Sequence, residues 1–173
     1  MNVDMPEFSV RQLTESDWSD FKQIRLESLT KHPEYFAPSQ DETKLSPQEW
    51  MGRLSNKNSA YFGLFHNMTL IGISGIMREN NNDSNECAMM MASYIRNEYR
   101  GKNLSRLFYD ARIDWAKSQN NIKTLRIYHR EGNSISRSAN QRFGFKYLSS
   151  FKKTYLDGSE GQSLCYELVI FPE

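Results

Sequence analysis

The stretch IRNEYRGKNLSRLFYDARIDWAK, Ile95 to Lys117, constrains the fold more than any other part of the chain. It leads out of an apolar run, CAMMMASYI, through a short basic turn. It then enters a stripe of Leu104, Leu107, Phe108, Ala111 and Trp115 at helical spacing. An apolar run without polar alternation reads as a central strand, buried on both faces. A second strand, TLRIYH (Thr124 to His129), follows the helix. Strand, helix, strand implies a parallel pair. Where such a pair parts at its C-terminal ends, it opens a cleft for a ligand.

Around this unit the strands read as antiparallel. FSVRQL (Phe8 to Leu13) alternates, and AYFGLF and TLIGISGIM form a hairpin joined at His66–Met68. FKYLSSFKKTYL and SLCYELVIF are late strands separated by the turn DGSEG. Two helices follow the first strand. Thr14 or Ser16 caps one, with Trp18, Phe21 and Ile24 near one face. Ser46 caps the other, with Pro47 at its first position and Glu49 at the capping-box position. Between them KHPEYFAPSQDE is broken by Pro33 and Pro38 and reads as a turn-rich loop or a kinked helix end. Glu79–Asn85 is a polar loop, and GNSISRSANQRF is a short helix that stops at Gly144. The expected fold is α/β (α+β): a mixed, mostly antiparallel sheet with a splayed parallel strand pair, flanked by helices. At 173 residues it is expected to be one domain, residues 1–173.

Composition removes several function classes. A net charge of +1 with no basic or acidic half gives no reason to expect nucleic acid or an anionic membrane as partner. Cys87 and Cys165 are far apart, form no CxxC, and are expected reduced inside strands. Three histidines give no metal spacing, so no metal is expected. The N-terminal MNVDMPEFSV carries an acid and no apolar core, unlike a signal peptide. Ala60 to Met77, the most apolar region, is interrupted by His66, Asn67 and glycines and does not read as a membrane span. A cytoplasmic protein is the expectation.

The basic turn is a ready anion site. A helix start leaves backbone N–H groups without partners and carries partial positive charge, a geometry that suits phosphate. Gly101 lets the backbone approach closely, and Arg100, Lys102 and Arg106 add charge. Taken alone, the same turn reads equally well as a solvated basic cap.

Read as a whole, the stretch resembles the acyl-CoA-binding motif of the GNAT acetyltransferases. That motif is a strand ending V-x-P-x-x, then (R/Q)-x-x-G-x-(G/A) at a helix start. Ile95 takes the valine place, and Arg100, Gly101, Lys102, Asn103, Leu104 and Ser105 take the loop. The family's second motif, N-x-x-(A/S) on a short helix ending in G-F, is matched by Asn133, Ser136 and Gly144-Phe145. The element order agrees from Phe8 to Ile170. The resemblance implies an enzyme moving an acetyl group from acetyl-CoA to a primary amine, directly, in a ternary complex. It implies that Tyr94, Ile95, Arg96, Arg100, Gly101, Lys102, Asn103, Leu104, Ser105, Arg106, Asn133, Ser136 and Asn140 hold the acyl-CoA. Asn103 and Ser105 replace motif glycines; Asn tolerates φ > 0 better than most residues, so Asn103 is expected to keep the loop shape. A branch of the family carries a segment like His32-Pro33-Glu34-Tyr35-Phe36 on the acceptor side, which implicates Tyr35 and Phe36. The same two rings also read as core aromatics.

The chemistry asks for three things. A lysine-like amine has a pKa of about 10 and must lose a proton. The attacked carbonyl needs a fixed donor, which the resemblance assigns to a backbone N–H near Tyr94 and Ile95. The thiolate must leave. Many relatives use a tyrosine for this, seven places after the asparagine; here that place is Asn140, and Ser136 lies four residues earlier on the same helix face. For the base, the family position falls at Tyr128, whereas the ordinary histidine pKa favours His129. Strand alternation sends the two to opposite faces. Glu27 and Glu34, on the first helix and the loop after it, are the fallback candidates for the base, with Glu27 also a candidate to bind substrate. The acceptor is expected to be a small-molecule amine, with a peptide N-terminus as the second choice. A non-catalytic acyl-CoA-binding sensor or assembly module is the alternative from another class. The chain lacks both GxxxxGK[ST] and GxGxxG, which argues against the common nucleotide loops. Monomer and homodimer both remain open, because FKYLSSFKKTYL can pair as an edge or be guarded by Lys152 and Lys153.

Overall fold

The computed structural model describes residues 7–79 and 86–171. The N-terminal residues 1–6 and most of the polar Glu79–Asn85 loop lie outside the described residues. The elements are β1 (Phe8–Gln12), α1 (Trp18–Lys31), α2 (Pro47–Ser55), β2 (Ser59–His66), β3 (Thr69–Arg78), β4 (Cys87–Ile95), α3 (Ser105–Ser118), β5 (Thr124–Arg130), α4 (Ser134–Arg142), β6 (Lys146–Thr154) and β7 (Glu160–Val169). The strands form one sheet in the order β1-β2-β3-β4-β5-β7-β6. Among the described residues only β4 and β5 pair in parallel; the other neighbouring pairs are antiparallel.

Local chemistry accounts for the element ends. Ser46 Oγ accepts from the Glu49 N–H while Glu49 Oε2 accepts from the Ser46 N–H at 2.7 Å, the reciprocal cap that starts α2. Gly144, at φ +88°, ends α4 in the left-handed conformation that glycine adopts without penalty.

Each face of the sheet buries its own core. On one face α3 packs over Phe62, Leu64, Ile71, Ile76, Met90 and Leu125, with Phe108 and Tyr109 as its contribution. On the other, α1 and α2 bring Phe21, Ile24, Trp50 and Leu54 onto Leu70, Ile73 and Tyr94. Each such side chain contributes about 1.5–3 kcal/mol on burial. Glu42, only 3% exposed, braces the second core by pairing with Arg25 at 3.0 Å and with Arg53. Burial works to raise its pKa; the two guanidinium groups outweigh that and hold it below the usual carboxylate range. β6 is an edge strand whose Tyr147, Leu148 and Phe151 are exposed.

The feature that shapes the cleft is a bulge in β4. Ile73 pairs with Tyr94 and Gly75 with Met91, so two steps along β3 match three along β4. The extra residue falls at Ala92–Ser93, and Ala92 has φ +57°. The β4–β5 pairing ends at Met90 and Ile127, just before the bulge. Beyond it the two strands part. Gly72 of β3 lies tight against this end of β4, since a Cβ there would stand 2.9 Å from the Tyr94 carbonyl oxygen.

A β-branched side chain at φ > 0 is strained by about 1–2 kcal/mol or more. Ala92→Val is therefore expected to lower the denaturant midpoint, although valine is ordinarily favoured in strands. Ala92→Gly is expected to be tolerated. A midpoint for Ala92→Val at or above the parent's would refute the bulge as drawn.

Candidate functional site

The loop between β4 and α3 presents an uncapped helix start. No side chain caps the N-terminus of α3, and its first turn holds no acid. The first backbone N–H groups are therefore left for an anion. Gly101 and Asn103 stand at φ +78° and +58°, so Asn103 keeps the left-handed shape expected of it. A Cβ on Gly101 would meet nothing within 4 Å, so the space beside Gly101 is open. Lys102 Nζ lies 5.5 Å from the Phe8 ring centre and 5.9 Å from that of Tyr99. Arg106 is exposed on the first turn of α3. Arg142, at the end of α4, donates to Asn103 Oδ1 at 3.3 Å and adds a cation that the motif search missed. Leu104 is buried in the core, and Ser105 is half-buried at the helix start.

Arg100 and Arg96, both expected among the residues that hold the acyl-CoA, turn their guanidinium groups to other partners. Arg100 Nε donates to the Ile95 carbonyl at 2.7 Å, its Nη2 lies 3.1 Å from His32 Nε2, and its guanidinium lies over the Tyr94 ring. Arg96 Nε donates to Glu27 Oε2 at 3.1 Å. Both cations are taken up on the α1 side of the sheet. The Arg96 N–H donates to Ile71 of β3, so alternation turns the neighbouring Ile95 N–H away from β3, toward the gap that β5 has left.

The α4 wall also differs from expectation. Asn133 caps α4, its Oδ1 accepting from the Ser136 N–H at 3.2 Å. Ser136 is half-buried. Asn140, expected near the departing thiolate, is 1% exposed. Its Oδ1 accepts from the Tyr109 hydroxyl and its Nδ2 donates to His129 Nδ1 at 3.1 Å. The amide is committed to protein partners. His129, expected as a base, is 7% exposed with its ring 5.1 Å from that of Tyr166. Burial, then the charge of Arg137, pushes its pKa below the ordinary value. Its Nδ1 lone pair is occupied by Asn140, so the ring is held neutral and is not arranged to take a proton from an amine. Tyr128 faces the other way, as alternation requires, edge-on to Phe151 and paired with Cys165. Burial and the adjacent thiol raise its pKa strongly, so it stays protonated.

On the α1 side, Glu27 Oε2 accepts from the Tyr94 hydroxyl at 2.8 Å as well as from Arg96. Burial opposes ionisation there, but these two donors win and lower its pKa. Burial, then Glu27, pushes Tyr94 up to about 12. A strap closes this side. The Leu156 N–H donates to the Phe36 carbonyl at 2.8 Å, and Arg130 donates to the Glu34 carbonyl, Ser159 Oγ and the Glu160 carbonyl. The loop after α1 and the β6–β7 turn are thereby tied together. Tyr35 is exposed, and the Phe36 ring lies under the Arg25 guanidinium.

An open helix start beside a splayed parallel pair is what the motif resemblance called for, and sequence comparison decides the family. The chain matches the model of the acetyltransferase (GNAT) domain over residues 8–146. It belongs to the GNAT acetyltransferase family. It is accordingly an acyltransferase of the acetyl-CoA-dependent N-acetyltransferase class. Nothing among curated proteins matches the chain. Solved structures share the fold at low identity. An acetyltransferase of the GNAT family from Streptococcus pneumoniae is 17% identical with a TM-score of 0.78, covering 95% of this chain and 100% of its own. The ribosomal-protein-S5-alanine acetyltransferase of Vibrio fischeri is also 17% identical, with a TM-score of 0.78 and coverage of 96% and 94%. A Salmonella typhimurium protein solved with its cofactor acetyl-CoA is 12% identical, with a TM-score of 0.80 and coverage of 96% of each chain. Among the described residues no helix is long and apolar enough to cross a membrane, and no three His, Cys, Asp or Glu side chains group to hold a metal.

His129→Gln is expected to leave the pH–rate profile unchanged and to alter the pH dependence of stability instead. The lowered folded pKa means that the stability tied to neutral His129 is complete above the unfolded value of about 6.5 and is lost as pH falls below it. Urea denaturation at pH 7.5 and pH 5.5 should show a smaller drop in the variant. A displaced alkaline or acid limb in the rate profile would make His129 a base after all.

Proposed function

We propose that this protein, as one domain spanning residues 1–173, transfers an acetyl group from acetyl-CoA to a primary amine in a ternary complex. The observation that carries this is the open loop at the start of GNAT helix α3, with φ > 0 at Gly101 and Asn103 and no side-chain cap. Backbone N–H groups of residues 102–106 would hold the pyrophosphate, with Lys102, Arg106 and Arg142 adding charge. The Ile95 N–H, on the open side of β4, suits the thioester carbonyl. Ser136, half-buried near the start of α4, suits the pantetheine arm. Glu27 is an anion with a lowered pKa, so its role is to attract a cationic amine rather than to deprotonate it. Water is then the proton's first acceptor. The acceptor we favour is a small-molecule amine, because the Arg130 strap narrows the approach on the α1 side. A peptide N-terminus is the second reading, favoured by the name of the Vibrio fischeri relative. Two free, separated cysteines suit the reducing cytoplasm as its compartment.

Calorimetry with acetyl-CoA tests the donor half. The parent and Asn103→Gly are expected to bind alike, and Asn103→Val at least tenfold more weakly, since a β-branched residue resists φ > 0 (~1.4 kcal/mol per factor of ten). Release of free thiol in the presence of polyamines, amino acids, aminoglycosides or short peptides tests the acceptor half. Turnover confined to peptides would exclude the small-molecule reading. Absence of acetyl-CoA binding would exclude the donor.

A further inference from the structure

Arg112 is an arginine on α3, one turn beyond Phe108, that sits 1% exposed inside the core. Among the described residues no carboxylate pairs with it. Its Nε donates to the Phe108 carbonyl at 3.1 Å, and its guanidinium lies 5.0 Å from the Tyr109 ring centre. Its Nη1 donates to Ser93 Oγ at 3.1 Å. Burial pulls its pKa down to about 10, which leaves it charged at neutral pH. A cation so deeply buried without an anion is costly to the fold.

Ser93 is where that charge reaches the surface. It belongs to the bulge, beyond the last β4–β5 pair, and it is exposed. Its Oγ lies 2.6 Å from Ser74 Oγ. Ser74 is fully buried, and among the described residues Ser93 is the one partner of its hydroxyl. A buried hydroxyl without an acceptor is penalised, so Ser74 is the donor in that pair. The Ser93 oxygen thus accepts from two donors, one of them cationic. Its single proton remains, and the exposed side, where β4 and β5 have parted, is where it can point.

We infer that Ser93 donates this hydrogen bond to the carbonyl oxygen of the bound thioester, with Arg112 as the positioning residue behind it. The inference rests on the acetyl-CoA reading given above. As the acceptor nitrogen forms its bond to the carbonyl carbon, the carbonyl π pair moves onto oxygen. The Ser93 proton is shared with that oxygen and not given up. When the pair returns, the carbon–sulfur bond breaks and its electrons leave on sulfur. The proton lost from nitrogen goes to water, and water supplies one to the thiolate. A donor charged from behind by Arg112 favours the state in which the pair is on oxygen.

The test reads the carbonyl itself. Acetyl-CoA labelled with carbon-13 at the thioester carbonyl is bound to the parent, Ser93→Ala, Ser93→Thr and Arg112→Met, and its stretch is measured by isotope-edited infrared spectroscopy. The parent is expected to lower the frequency relative to free acetyl-CoA. Ser93→Thr should keep that shift, Arg112→Met should lose part of it, and Ser93→Ala should lose most of it while retaining affinity within a few-fold by calorimetry. Ser93→Ala also takes their shared acceptor from Arg112 and Ser74, so its near-parental affinity is the control that it folds, and Ser93→Thr, which keeps that acceptor, separates the hydroxyl from the packing. Bound acetyl-CoA with the same carbonyl frequency in parent and Ser93→Ala would overturn the inference and leave the acetyl-CoA reading standing. A parent that binds no acetyl-CoA would overturn both.

Discussion

A single extra residue on β4 produces the cleft. Ala92 and Ser93 of β4 stand against Ser74 of β3, Ala92 takes φ +57° to absorb the mismatch, and the pairing with β5 stops at Met90, just before it. The strand is re-aimed without being broken, because β3 follows it closely through Gly72. The remaining site features hang from that event. The loop of residues 96–104 leaves from the freed end of β4, and α4 follows the freed end of β5. A straight β4 would continue its ladder with β5, and the Ile95 N–H would be spent on a neighbouring strand.

The sheet then divides the charges between its two faces. Arg96 and Arg100 are drawn to the α1 side by Glu27, by the Ile95 carbonyl and by His32. Lys102, Arg106 and Arg142 stay around the start of α3. The cations left to meet an anionic ligand are therefore those on the α3 side, because those on the α1 side are held by protein partners. The strap tied by Arg130 joins the loop after α1 to the β6–β7 turn.

The parts legible in the sequence are those governed by local rules. The Ser46–Glu49 cap, the Gly144 stop, the hairpin at Asn67 and the left-handed Asn103 all follow from a few adjacent residues. The bulge was not legible, because Met91-Ala92-Ser93 reads as uninterrupted strand and alanine carries no signal for φ > 0. Arg112 falls four residues after Phe108, so helical spacing alone puts it on the face that packs against the sheet. Its charge kept it out of the apolar stripe. The direction of Arg100 and the partnership of His129 with Asn140 depend on contacts between elements far apart in sequence. No local pattern encodes them.

The Tyr109–Asn140–His129 chain bears on which half of the reaction needs help. It fills the place where many relatives carry a tyrosine and ties α3, α4 and β5 together with an amide buried on all sides. A thiol ionises near pKa 8.5, so a thiolate can leave at neutral pH without a dedicated acid. The charge that must be stabilised is the one developing on the carbonyl oxygen, and water is a poor substitute for a fixed donor there. A site that turns its α4 residue to structure and keeps its donors on β4 is therefore chemically coherent. The buried polar residues divide in the same way, with Asn140 and His129 supporting the wall on α4 and Arg112 and Ser74 supporting the donor side at the bulge.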